Sequence, residues 1–96
     1  MHVWWPTDGS VVSGVQPFKA QLIGTEDVTT FAMFWRVGGG GLVEMYNDFE
    51  SYPHKEALVD LSGWTWEGDN LYDVTFVARD FAGDTISEET VTIEVR

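Results

Sequence analysis

Cysteine is absent from the 96 residues, which excludes a disulfide framework, a thiol nucleophile and a thiolate metal site. Basic residues are scarce: five Lys and Arg stand against sixteen Asp and Glu, a formal net charge of −11. A phosphate backbone is repelled at long range by such a charge, so neither nucleic acid nor an anionic membrane is an expected partner. No apolar run approaches the roughly 18 residues of a membrane span, so no membrane insertion is expected. Met1 is followed directly by strand-like sequence rather than by a basic and then apolar leader, and the chain is expected to be one module of a longer protein. Histidine occurs only at His2 and His54, which leaves little for a Ser or Thr nucleophile to pair with. His54, followed by Lys55 and Glu56, reads as a surface histidine. The four glycines Gly38 to Gly41 are followed by neither Lys-Ser/Thr nor a helical pattern, so they read as a hairpin turn and not a phosphate loop. Helical periodicity is missing too, since no window of a dozen residues keeps apolar residues at i, i+3, i+4 and i+7.

What is present is a core. The apolar fraction of 44% with 15% aromatics is far above that of disordered chains, so the acidity reads as a solvated surface. A chain of this length fits one domain, residues 1–96, and buries about two-thirds of the surface its unfolded form exposes. Period-2 alternation recurs throughout and predicts strands over His2 to Trp5, Ser10 to Ser13, Val15 to Ile23, Phe31 to Val37, Leu42 to Tyr46, His54 to Leu61, Leu71 to Asp80 and Thr90 to Val95. Pro6-Thr7-Asp8-Gly9 is turn chemistry, and Asn47 to Pro53 reads as a polar and aromatic loop. Alternation puts Met33, Trp35 and Val37 inward on the fourth of these segments. On the seventh it puts Tyr72, Val74, Phe76 and Ala78 inward, with Asp73, Thr75, Val77 and Arg79 outward. Val59 and Ile93 complete the expected core. Seven or eight strands spaced by turns is the pattern of an all-β, two-sheet antiparallel sandwich.

The run from Pro6 to Gly14, the strand Tyr72-Asp73-Val74-Thr75-Phe76-Val77-Ala78-Arg79-Asp80 with its turn Phe81-Ala82-Gly83, and the closing Thr90 to Val95 resemble bacterial immunoglobulin-like domains. The resemblance spans nearly the whole chain. It implies an immunoglobulin-like β-sandwich of the kind found in secreted glycoside hydrolases and cell-surface proteins, hence an extracellular or cell-surface location. Tyr72 looks like the tyrosine-corner residue of such sandwiches. Trp35 looks like their buried strand-C tryptophan, without the disulfide it usually covers.

Fold does not fix function, which has to come from a site. Sixteen carboxylates produce some pair at glycosidase spacing by chance, and a small sandwich has little depth in which to raise the pKa of an acid catalyst, so no catalytic residue and no cofactor is assigned. Asp80 and Asp84 bracket a glycine turn that calcium could use, but the spacing matches no EF-hand and they read as turn formers, so no metal is assigned. The aromatics say most. Five tryptophans exceed what one small core needs, and Trp4 and Trp5 cannot both point inward. Exposed rings offer flat apolar faces to a pyranose, so Trp64, Trp66, Phe34, Tyr46 and Tyr52 form the candidate carbohydrate-binding set. Trp64 and Trp66 could instead close an open end of the sandwich. Three roles fit a monomer of this kind: an accessory module for a neutral polysaccharide, a structural spacer or docking domain against a neighbouring protein domain, and an adhesin-type protein-binding module.

Overall fold

In the computed structural model the described residues are 1–24, 30–46 and 54–96; the segment Asn47 to Pro53, and Tyr52 with it, lies outside them. All regular structure among the described residues is strand: β1 (His2–Trp5), β2 (Val11–Val12), β3 (Val15–Gln21), β4 (Ala32–Val37), β5 (Val43–Met45), β6 (His54–Asp60), β7 (Leu71–Arg79) and β8 (Thr85–Val95). They form a three-stranded sheet of order β1-β3-β6 and a five-stranded sheet of order β2-β8-β7-β4-β5. Every pairing is antiparallel except β2 with β8, which is parallel.

The two sheets face one another because each strand is written with one apolar face. Phe18 and Ala20 of β3 and Val59 of β6 meet Met33 of β4, Tyr72, Val74, Phe76 and Ala78 of β7, and Val91, Ile93 and Val95 of β8 in a single buried cluster. Phe18 is fully buried in it, its ring centroid 5.3 Å from that of Trp35, edge-on, and 5.9 Å from that of Phe76. Burying each such large side chain contributes about 1.5–3 kcal/mol, which is what drives the sheets together.

Both flanks are tied. On one, the turn at Pro6 to Gly9 carries the chain from the edge of the three-stranded sheet to the edge of the other, after a cis Trp5–Pro6 peptide. Gly9 sits at φ 84°, where a side chain would be strained, and its N–H donates to the Thr92 carbonyl at 2.7 Å. On the other flank Tyr46 and Glu56 exchange backbone hydrogen bonds of 2.8 and 2.9 Å, linking β5 to β6.

Four placements differ from those read in the sequence. Trp35 points inward but is only half-buried, packed against the core from the side. Thr75 and Val77 are on the outer face as expected, yet both are buried, because β7 is the central strand and Phe34 and Glu88 flank Val77 across the two ladders. β8 begins at Thr85, five residues before the alternation starts, since pairing with β7 continues through a polar stretch. His54 is buried and not a surface residue: the Trp4 ring stacks on it at 4.3 Å. Trp4 and Trp5 do divide between environments, Trp4 over His54 and Trp5 against the core with its Nε1 donating to Gln16 at 2.9 Å.

Candidate functional site

Residues 62–70, most of the segment joining β6 to β7, are rich in turn formers and pinned along their length. Asp60 Oδ1 accepts the Ser62 N–H at 3.0 Å, and that hydrogen bond, reinforced by the Ser62 side chain, holds the Asp60 carboxyl below its ordinary value. Trp64 N–H donates to the Leu61 carbonyl at 3.0 Å and Asn70 N–H to the Glu67 carbonyl at 3.1 Å, closing two successive turns. Asn70 takes the left-handed conformation, φ 61°, which asparagine tolerates better than most residues. The Tyr72 hydroxyl accepts the Glu67 N–H at 3.1 Å from below.

This scaffold sends the two tryptophans in different directions. Trp64 is 9% exposed and belongs to the core, in contact with the rings of Phe18, Trp35 and Tyr72. It plugs the end of the sandwich and cannot offer a face to a ligand, which corrects the expectation for that residue. Trp66 is 56% exposed and stands edge-to-face on Tyr72 with ring centroids 5.0 Å apart, supported also by Trp64 at 5.6 Å. Alternation predicts a shared face for the pair, but the segment is a loop, where period 2 does not apply.

A groove of about 350 Å³ opens beside Trp66, with Glu67, Asp69, Leu71, Tyr72 and Asp73 along it and the end of β4 opposite. Gly38 reaches that position because its N–H donates to the Asp73 carbonyl at 2.9 Å. Two carboxylates are held in place: Asp69 Oδ1 accepts the Leu71 N–H at 3.0 Å and Asp73 Oδ1 accepts the Thr92 hydroxyl at 2.7 Å. Behind the loop a second open depression, about 490 Å³, runs along Thr65, Asn70, Glu94 and Arg96, and Asp69 borders both.

In comparisons with known proteins, no family model, no curated protein and no solved structure matches this chain.

The other candidate aromatics are elsewhere. Phe34 is half-buried on the outer face of the five-stranded sheet, directly opposite Glu44 on β5 and beneath the Arg79 guanidinium at 5.9 Å. Tyr46 is 62% exposed on the β5 flank, where a hydrogen bond to Glu44 pushes its phenol above the ordinary value. The expected platform therefore does not assemble among the described residues; Trp66 is the member that stands exposed at a groove, while Trp64 borders the second depression with 9% of its surface exposed. Sequence reasoning missed Asp69, Leu71 and Asp73 as lining residues, and Tyr72, buried in the core as expected, reaches the groove as well. Only the Glu67 and Asp69 carboxylates beside Trp66 were a local signal. Turn aspartates elsewhere are engaged with backbone: Asp80 Oδ1 accepts N–H groups from Ala82 and Asp84, both at 3.0 Å.

Proposed function

We propose that the chain is an immunoglobulin-like, non-catalytic accessory module of an extracytoplasmic protein, and that it takes a neutral polysaccharide across the Trp66 groove. The observation that carries the binding reading is the exposed indole of Trp66, held rigidly on Tyr72 and bordered by hydrogen-bonding side chains. An apolar ring beside fixed polar groups suits the two faces of a pyranose. The fold supports the family reading: a short strand parallel to the last strand, a tryptophan inward on β4, and a tyrosine near the start of β7 whose hydroxyl bonds to backbone upstream, as at a tyrosine corner. The groove is open and its carboxylates stand on exposed residues, which suits a chain lying across a surface better than bond cleavage in a closed cleft.

Affinity is expected in the micromolar to millimolar range, because one stacked ring must offset the ordering of a flexible chain. Tryptophan fluorescence titrated with oligomers of β-glucan, xylan and mannan is expected to shift, and Trp66→Ala to abolish the shift with the fold intact by circular dichroism. A flat titration with all of these, and no retardation in polysaccharide-containing gels, would overturn the reading. A docking role has one feature in its favour. Leu58 and Val15, 79% and 59% exposed, lie with Pro17 on the outer face of the three-stranded sheet, an apolar strip of the kind a neighbouring domain covers.

A further inference from the structure

Resting on the reading that the Trp66 groove binds a polysaccharide, and narrowing its neutral-sugar form, we infer that the groove prefers sugars carrying a free ammonium group, hexosamine units, over neutral pyranoses. The polar chemistry of the groove is one-sided. Among the described residues its ionisable side chains other than the Tyr72 phenol are the carboxylates of Glu67, Asp69 and Asp73, and no lysine or arginine lines it. All five basic residues of the chain, Lys19, Arg36, Lys55, Arg79 and Arg96, are placed elsewhere. The one hydroxyl of Thr92 is already spent as a donor to Asp73.

A ligand in this groove therefore meets charged groups of one sign, all of them acceptors, beside the neutral Trp66 Nε1–H and Tyr72 hydroxyl. Carboxylates accept and do not donate, whereas an ammonium has three donors and no acceptor. Asp69 and Asp73 each have one oxygen held by the protein, which fixes the carboxylate and leaves its second oxygen to a ligand. A neutral sugar satisfies these carboxylates only with its hydroxyl hydrogens. An N-acetyl group is worse, since it removes the positive charge that the carboxylates would meet.

The carboxylates alone would be one more stretch of acidic surface. What makes them a site is the indole among them, because a tryptophan face attracts a cation and stacks on a sugar ring at the same time. The molecule as a whole acts in the same direction, as a formal charge of −11 concentrates cations around it.

The test compares tetramers of glucosamine, N-acetylglucosamine and glucose by isothermal calorimetry and fluorescence at low salt and slightly acidic pH. The glucosamine tetramer is expected to bind about tenfold tighter than either neutral tetramer. The preference is expected to shrink in 0.5 M NaCl, and again as pH rises and the amine loses its proton. The double variant Asp69→Asn with Asp73→Asn keeps both Oδ1 acceptors, so the loop should hold; it is expected to bind the glucosamine tetramer no tighter than the neutral tetramers. Trp66→Ala is expected to lose binding of all three. Equal affinity for all three tetramers, abolished by Trp66→Ala, would sink the inference and leave the proposed function standing. No binding of any tetramer would sink both. A lysine peptide of matching charge that binds as tightly as the glucosamine tetramer, with neither affected by Trp66→Ala, would reduce the effect to bulk charge and overturn the inference as well.

Discussion

Removing the Trp64 indole would leave a void among Phe18, Trp35 and Tyr72, and a large-to-small change at such a site typically costs about 3–5 kcal/mol. Trp64→Ala is accordingly expected to lower the urea midpoint severely, while Trp66→Ala, two residues on and largely in solvent, is expected to cost about 1 kcal/mol or less. Equal losses in the two unfolding curves would show that the inside and outside assignments are wrong. Asp60 gives a second test at this scale. Its pKa lies below the ordinary 3.8 because the folded state holds the carboxylate with the Ser62 N–H and side chain. A depressed carboxyl pKa contributes stability that is present above the unfolded value and lost as pH falls through the folded one. Asp60→Asn is therefore expected to be less stable than the parent at pH 7 and to converge with it as pH falls through the lowered folded-state pKa, and urea titrations at several pH values read both. A constant difference across that range would mean that the contribution is not the carboxylate's charge.

At the level of elements, the hydrogen bond from Glu67 N–H to the Tyr72 hydroxyl couples the 62–70 loop to β7. Tyr72→Phe leaves that donor without its partner, expected to cost about 1–2 kcal/mol, and should speed amide exchange at Glu67 more than in β7 itself. Unchanged exchange at Glu67 would show that the loop is held by its turns alone. The legibility of the elements follows the same physics. β7 could be read residue by residue because one face of it is the core, and Tyr72, Val74, Phe76 and Ala78 are indeed all buried. The first half of β8 could not, because Thr85 to Thr90 lie beyond the packed core and owe their conformation to the ladder with β7, which leaves no apolar period in the sequence. The same gap explains the groove. Trp66 was visible as a surplus aromatic, but Gly38, Asp73 and Thr92 come to it through strand pairings far apart in the chain, and Trp64 and Trp66 part company because turns, not pleats, orient them.

For the whole molecule, charge is the dominant long-range term. Eleven uncompensated negative charges on a body of 39 × 24 × 19 Å repel one another, and few ion pairs answer them among the described residues: Lys19 with Glu56, and Arg96 with Glu94. Compaction brings these charges closer, so screening favours the folded state. The melting temperature is expected to rise as NaCl goes from 10 mM to 500 mM, by calorimetry, and a fall would mean that the few local pairs outweigh the general repulsion. The parallel pairing of β2 with β8 has a consequence of another kind. β2 is reached from the N-terminal end of the chain and β8 leaves toward the C-terminal end, with Val11 and Val12 beside Glu94 and Val95. Tension applied through the two ends would pull these strands lengthwise past each other. The bonds from Gly9 to Thr92, from Glu94 to Ser10, from Arg96 to Val12 and from Thr92 to Asp8 then bear load together, instead of opening one after another like a zip. Stretched through its two ends, this fold would yield late, and all at once.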